Sequence, residues 1–465
     1  MPGQPFNFSM SRRQSVGLLG ASAVALWLVS ASSAWAGTPD AAKKTPIAPV
    51  EPIHVTYVLH FAPEPRGDVV KEGRDLVRSK FPNIKLLAKA TETAAVPAVF
   101  IAMLDLNPAE GIAPPSTESL KYFGRGVSRE QAEAIQKSKV ATVVTFSYGA
   151  ADALATVRTA NELMKEFATR SGGLIWDDET RELFTPAALA EKRMLPPNHG
   201  FPDVRDHIVI HAYKNGEYIR AITLGMRKFG LPDVVINQFS WSLNDQMGNT
   251  MNLFAQSLLE GATPALGSYD FDVSKLKHDG VRAVYEQHLL DNAHTVAQLT
   301  LANAVADDGD PDNRLIELRF DRYAGKTVHE KHQEFASTFY GSAESVAHVR
   351  HNQAIEAASA RARQKLPGLR KQFNAGLQPG ESLLLKAPFE TSSEGREWMW
   401  VEVSSWKGDD IVGLLANEPE AVPGLHAGAT VQVSEEDIFD YIFKKADGGT
   451  EGNETGKEIE KYQTR

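Results

Sequence analysis

One predicted strand near the C-terminus carries the residues best suited to recognise a partner. Glu397 to Val403 reads E-W-M-W-V-E-V, and successive side chains of a strand point to opposite faces. One face carries Glu397, Met399, Val401 and Val403, and the other carries Trp398, Trp400 and Glu402. Tryptophan is enriched where a surface buries a partner, so the second face is a candidate binding face. The alternative is that the preceding helix covers this face and both tryptophans belong to the core.

The residues expected around this face are polar. Lys386 lies on the preceding predicted strand, and Asn417 and Glu418 lie in the tight turn that ends the following strand. The predicted binding residues are therefore Lys386, Trp398, Trp400, Glu402, Asn417 and Glu418. These residue types do not name a ligand, so the expected partner is an unidentified protein or envelope ligand.

Acidic residues elsewhere offer a weaker case for catalysis. Trp176 to Arg181 reads W-D-D-E-T-R after a predicted strand, and paired carboxylates can act as general acid and base. A polar turn is the commoner explanation of such a cluster. The sequence has neither the G-x-S-x-G elbow of hydrolases nor a phosphate-binding loop. No catalytic residue is predicted, and an envelope hydrolase that uses carboxylates such as Asp177 or Glu402 is the alternative.

Candidate metal ligands have the wrong spacing or the wrong companions, so neither a metal nor a cofactor is expected. His207 and His211 fall on a predicted strand, where strand rise places them roughly 13 Å apart. The pairs His329/His332 and His348/His351 favour solvated helix surface over a four-histidine site. Asp308, Asp310 and Asp312 have calcium-loop spacing, but Asn313 and Arg319 replace the required glycine and glutamate. The chain has no cysteine, which excludes thiolate sites and disulfides.

The N-terminus predicts export from a bacterial cytoplasm. Residues 1–36 combine Arg12 and Arg13, an uncharged apolar run and an A-W-A cleavage site before Gly37. The arginine pair also resembles a twin-arginine signal, but Ser15 stands where that pattern prefers a large apolar residue, which favours the ordinary secretory route. No later segment is long and apolar enough to span a membrane. The expected location is therefore the periplasm or the medium.

The net charge of −10 argues against nucleic acid as the main partner.

Hydrophobic periodicity predicts an α+β protein of several parts. A flexible leader over 37–52 precedes an N-terminal domain over 53–265, which is expected to be a mixed sheet with helices on one face. A small α/β region follows over 266–345, including a helix from Val273 to Ala293. Residues 350–445 are predicted to form an entry helix and a small, bent β-sheet or barrel. The polar tail over 446–465 is expected to be disordered.

The C-terminal motifs resemble a known family in their order and spacing. Lys386 to Phe389 reads K-A-P-F, Arg396 to Val403 reads R-E-W-M-W-V-E-V, and Asp410 to Pro419 ends in N-E-P. Together with Leu425 to Val433, Asp437 to Tyr441 and the helix-forming run Ala362 to Phe373, they are similar to the YegJ-like family, domain of unknown function 2314. More faintly, Gly173 to Gly230 resembles domain of unknown function 4261.

The C-terminal resemblance implies a domain but no established activity. It departs from the family pattern at one position, because Trp398 stands where the pattern usually has histidine. A role that depends on that histidine is not expected here.

Overall fold

Three sheets organise the chain, and the α+β class is confirmed. The computed structural model describes residues 7–8, 46–62, 64–89, 96–215, 218–287, 289, 292–341, 353–377, 381–392, 395–419, 421–445 and 449–463. Within these residues, no helix combines the length and apolarity of a membrane span. Two sheets have seven strands, the third has six, and none of the three closes into a barrel.

The first sheet is mixed and has the strand order β3-β4-β6-β2-β7-β8-β5. Its strands are β2 (Ile53–Phe61), β3 (Lys85–Leu86), β4 (Ala98–Asp105), β5 (Gly124–Arg125), β6 (Val140–Tyr148), β7 (Gly173–Asp177) and β8 (Glu182–Phe184). Pairs β3/β4 and β5/β8 are parallel, and the other pairs are antiparallel. The long β2 and β6 lie at the centre of the sheet. Each has buried apolar side chains on both of its faces, which pack into the core on either side of the sheet.

Helices lie on both faces of this sheet rather than on one. On one face pack α1 (Val69–Lys80) and α4 (Ala153–Ser171), whose Leu76 and Phe167 meet Leu59 in the main core. The shorter α2 (Thr117–Phe123) and α3 (Arg129–Ile135) cover the other face, where Ile135 joins Trp176. These two helices have seven residues each. Such short helices give a weak periodic signal, so their own sequences do not indicate which face of the sheet they cover.

The second sheet crosses the predicted boundary at residue 265. It has the order β1-β9-β10-β11-β14-β13-β12. Its strands are β1 (Asn7–Phe8), β9 (Val209–Asn215), β10 (Tyr218–Leu224), β11 (Asp233–Phe239), β12 (Gly267–Asp272), β13 (Val296–Asn303) and β14 (Leu315–Arg319). Because β11 pairs in parallel with β14, the region over 266–345 adds β12, β13 and β14 to the sheet that contains β9, β10 and β11. The sheet is therefore shared across the predicted boundary at residue 265.

Four α-helices, and a 3₁₀ turn directly before one of them, accompany this sheet and the linker that precedes it. They are α5 (Pro186–Arg193), α6 (Asn244–Leu259), α7 (Asp279–Glu286), α8 (Val328–Phe339) and a 3₁₀ turn at Trp241–Leu243. The single helix predicted from Val273 to Ala293 is wrong. A 3₁₀ turn at Val273–Lys275 and α7 stand in its place, because His278 caps a new helix by accepting a bond from the Val281 amide.

The third sheet forms the C-terminal domain and has the order β18-β17-β16-β15-β19-β20. Its strands are β15 (Ser382–Glu390), β16 (Arg396–Lys407), β17 (Asp410–Leu415), β18 (Thr430–Ser434), β19 (Asp440–Lys444) and β20 (Thr450–Gly452). All its pairs are antiparallel. The entry helix is two helices, α9 (Gln353–Arg363) and α10 (Leu366–Ala375).

The predicted disordered tail is wrong for residues 450–463. These residues form β20 and a last helix, α11 (Glu454–Gln463), which packs on α9. The buried Asp440 carboxylate accepts bonds from the amide and hydroxyl of Thr455, at 2.7 and 2.6 Å. This cap starts the helix. The polar composition of residues 450–463 gives no local signal for this helix, because the helix depends on the Asp440 carboxylate outside the segment.

Candidate functional site

Strand β16 divides its side chains as alternation predicts. Glu397, Met399, Val401 and Val403 are buried, while Trp398, Trp400 and Glu402 are half-buried. Helices α9 and α10 cover the buried side, since their Ala362, Leu366 and Leu369 pack with Leu385 and Val403. These three residues of the entry helices therefore pack on the side opposite the two tryptophans. The predicted binding face lies on the opposite side of the sheet.

A β-bulge separates a third tryptophan from this face. The pairing of β16 with β17 shifts register between Val403 and Ser405, and such a shift moves the following side chains to the other face. Trp406 is consequently buried among the entry helices at 1% exposure. Its indole N–H donates to Glu435 Oε2 at 2.9 Å. Trp406 is a core residue, whereas Trp400 on the same strand is not.

The predicted polar residues do surround Trp400. Lys386 pairs with Trp400 across the strands, and its ammonium lies 5.4 Å from the centre of the Trp400 ring. Burial lowers the pKa of Lys386, and Asp440 opposes this change. The Trp400 amide donates to Asn417 Oδ1 at 2.6 Å. A desolvated cation against an indole is a favourable cation–π pair. The Trp400 ring therefore already contacts a cation of the protein itself, the Lys386 ammonium.

The other half of the face contacts the segment that follows β11. The Ser240 hydroxyl donates to Glu418 Oε2 at 3.1 Å, and the Trp241 side chain donates to Glu402. Lys444 Nζ lies 3.5 Å from Asp245 Oδ2. Burial raises the pKa of Glu402, with Lys444 opposing the rise and Asp245 adding to it. The C-terminal domain is thus docked on residues 240–245 through the predicted face.

The loop between β17 and β18 extends this docking contact. Glu418 also accepts bonds from the Ala427 amide at 3.1 Å and from the His426 Nδ1 at 2.8 Å. Ala427 is buried in the main core rather than in that of its own domain. The His426 ring lies 6.1 Å from the ring of Tyr218. Glu418 therefore organises the loop that joins the two parts of the molecule.

The acidic cluster after β7 has a different environment. Asp177 Oδ2 lies 2.7 Å from Lys228 Nζ and 3.4 Å from Arg193 Nη2, and all three side chains are 1% exposed. Arg193 also donates to Glu182 at 2.6 Å, and Arg125 Nε donates to the same carboxylate at 2.7 Å. We call Arg125, Asp177, Glu182, Arg193 and Lys228 the buried ionic network. Since Lys228 follows β10, the network links the first sheet to the second.

The pKa values of two members of the network, Glu182 and Lys228, are both lowered. Burial alone would raise the pKa of Glu182, but Lys192, Arg193 and Arg125 outweigh burial and lower the pKa far below its ordinary value. Burial lowers the pKa of Lys228, and Asp177 opposes the decrease. The network is not predicted from the sequence because its members are spread over 103 positions, from Arg125 to Lys228. Only Asp177 lies in a recognisable cluster of acidic residues.

The neighbouring acids of the cluster behave differently from Asp177. Asp178 and Glu179 are half-buried. Burial raises the pKa of Asp178 to about 6 despite the bond from the Trp176 indole, and it also raises the pKa of Glu179. Burial therefore moves the pKa of both carboxyl groups towards neutral pH.

The remaining metal candidates lie apart from one another in the fold. Asp310 receives both guanidinium nitrogens of Arg220, at 2.9 and 2.7 Å. His211 is buried and stacks on Phe123 at 4.9 Å, and His207 precedes β9, which begins only at Val209. Across the described ranges, no group of three or more acidic or histidine side chains could hold a metal ion. The pair His348/His351 lies outside those ranges.

The C-terminal geometry agrees with what a comparison with known families finds. Residues 352–460 match the model of an uncharacterized protein conserved in bacteria, domain of unknown function 2314. The match includes the entry helices, the six strands and most of α11, and it contains all six predicted binding residues. No curated protein and no solved structure matches the chain. The name YegJ-like and the resemblance of residues 173–230 to domain of unknown function 4261 stay predictions.

Proposed function

We propose that the protein works in the bacterial cell envelope and that its C-terminal domain binds another protein through the face around Trp400. The supporting observation is the position of Trp398 and Trp400, which are half-buried on the side of the sheet opposite Ala362, Leu366 and Leu369 of the entry helices. Half-buried tryptophans can add a large area of apolar contact when a partner covers them. They dominate binding energy at many protein interfaces.

The groups beside the tryptophans define how a partner is oriented. The Trp398 ring packs against the Phe439 ring, with 4.3 Å between the ring centres and a tilt of 41°, and this contact holds it in place. The Lys386 ammonium holds the Trp400 ring, and Asn417 holds the Trp400 backbone. An aromatic pair held in this way loses little side-chain entropy on binding. Glu402 and Glu418 supply acceptors for hydrogen-bond donors of the partner.

Partner capture tests the binding face directly. Tagged full-length protein would be incubated with envelope extract, and the wild type would be compared with Trp400→Ala and with Lys407→Ala, which changes an exposed residue of the same strand. We expect Trp400→Ala to lose most of the recovered partner and Lys407→Ala to keep it. Equal recovery by a folded Trp400→Ala variant contradicts the proposal.

Export is the second part of the proposal, and it is supported by the signal-like segment 1–36. The mass of the protein recovered from a periplasmic or culture fraction should correspond to a chain that begins at Gly37. Cleavage there would also remove β1 and leave β9 as an edge of the second sheet. Recovery of the uncut chain from the cytoplasm alone would refute this part.

A hydrolase remains the second candidate because Asp178 and Glu179 have raised pKa values beside each other. A general acid must keep its proton near neutral pH. If the protein hydrolyses an ester or glycoside substrate, Glu179→Gln should abolish the activity while Glu402→Gln leaves it intact. Asp177 is not a candidate for the acid, because Lys228 and Arg193 occupy its carboxylate.

A further inference from the structure

The segment that occupies half of the binding face meets it in sequence order. Ser240 reaches Glu418 after β17, Trp241 reaches Glu402 on β16, and Asp245 reaches Lys444 on β19. The receiving elements follow the order of the sheet, in which β17, β16, β15 and β19 are neighbours. A short segment therefore crosses the strands, and side chains of successive strands contact it one after another.

Each contact selects a different chemical group. Glu418 accepts a hydroxyl, Glu402 accepts an indole N–H, and Lys444 faces a carboxylate. Peptide recognition commonly uses such a series of side-chain positions on an exposed sheet. Trp241 is itself 7% exposed, so its indole is buried where the two parts of the chain meet.

The contact is continuous but small. Gly428 adopts φ +81°, and a Cβ atom there would lie 3.5 Å from the Trp241 Cβ and 3.6 Å from the Ile219 Cδ1. Lys444 and Asp245 are both largely exposed, at 41% and 58%, and exposed pairs contribute little. The docked segment is therefore held strongly at its first two residues and weakly at Asp245.

We infer that residues Ser240–Asp245 are an internal ligand of the C-terminal domain, and that the partner presents the same series of hydroxyl, indole and carboxylate and displaces them. This inference rests on the proposed binding function and names the partner's chemistry. A tethered segment competes at an effective concentration in the millimolar range for short linkers. The face is then available to a partner only in the fraction of molecules whose own segment has released.

A synthetic peptide with the sequence of residues Asn237 to Gly248 tests the inference in full-length protein. Fluorescence anisotropy of the labelled peptide would measure its binding to the wild type and to the double variant Ser240→Ala/Asp245→Lys, which weakens the internal contact. We expect the double variant to bind the peptide about tenfold more tightly. Asp409→Lys, which reverses an 87% exposed charge at the β16–β17 turn, should bind like the wild type.

The receiving side provides the second measurement. Adding Glu418→Gln or Glu402→Gln to the double variant should remove the gain in peptide affinity, while circular dichroism confirms folding. Equal binding by wild type and double variant, no peptide binding to either, or a gain that survives both glutamine changes would each overturn the inference. Capture of a Trp400-dependent partner would then leave the proposed function standing without an internal ligand. Peptide binding without any captured partner would instead refute the proposed function alone.

Discussion

The buried ionic network and the face around Trp400 both place charged groups next to aromatic or apolar surroundings, but they satisfy those charges differently. In the network, Asp177 and Glu182 each meet cations at hydrogen-bonding distance, and their side chains are at most 1% exposed. On the face, Glu402 is half-buried and its carboxylate accepts a hydrogen bond from an indole. Carboxylates that are surrounded by buried cations stabilise the fold. A carboxylate that accepts a hydrogen bond from a neutral donor can exchange that donor for a group of another molecule.

Breaking the network should give the largest effect. Arg193→Met removes the cation shared by Asp177 and Glu182 and leaves buried charge uncompensated, which costs about 3–5 kcal/mol in the free energy of unfolding. Chemical denaturation would measure it. The control is Arg129→Met, whose pair with Glu133 is exposed at 88% and 54% and should cost less than about 1 kcal/mol. Similar losses of unfolding free energy in both variants would show that the buried network contributes no more to stability than an exposed ion pair.

Two tryptophans of one strand test whether the face is really separate from the core. Trp406→Ala empties a fully buried site and should cost about 3 kcal/mol or more. Trp400→Ala removes a half-buried ring and should cost about 1 kcal/mol, since much of its surface stays in water. Thermal unfolding of the two variants measures the difference. An equal loss from Trp400→Ala would mean that the face is part of the core.

Acid should destabilise the neighbourhood of the network through His211. Burial lowers the pKa of His211 to about 3, and Arg181 adds to the decrease. The unfolded chain binds the proton near pH 6.5, so this residue contributes stability above that pH that is lost on acidification towards its folded pKa. His211→Phe should therefore reduce the loss of stability between pH 7 and pH 5 by about 2 kcal/mol. An unchanged pH profile would show that His211 is accessible to protons in the folded state.

Glu402 should show the opposite and smallest dependence on pH. Its raised pKa means that the folded state holds the carboxyl proton more tightly than the unfolded state. That stabilisation is present at acid pH and is lost as the pH rises through the raised value. Glu402→Gln should consequently gain in stability relative to the wild type from pH 4 to pH 8. A constant difference across this range would place Glu402 in water rather than against Trp241.

Short-range patterns predicted the C-terminal domain well. The strand alternation of β16 placed Trp398, Trp400 and Glu402 on one face, and the structure has them there. It placed Glu397, Met399, Val401 and Val403 on the other face, which is buried. These features depend on residues a few positions apart, which is the range over which periodicity is informative.

Features that depend on distant partners were not predictable in the same way. The bulge after Val403 reverses the alternation and makes Trp406 a core residue. The bond from Ser240 to Glu418 joins residues 178 positions apart, and α11 begins where Asp440 caps it. Each is a tertiary contact that overrides local propensity, so no single window of sequence contains its cause.

The parallel pairing of β11 with β14 has a consequence for how the chain is made. Residues 233–239 leave the ribosome or a translocation channel well before residues 315–319. During that interval one edge of β11, which reads D-V-V-I-N-Q-F, has no neighbour. Unpaired apolar edges are templates for aggregation. A nascent chain that stalls between these strands is therefore expected to need a holding chaperone, and one that has passed residue 319 is not.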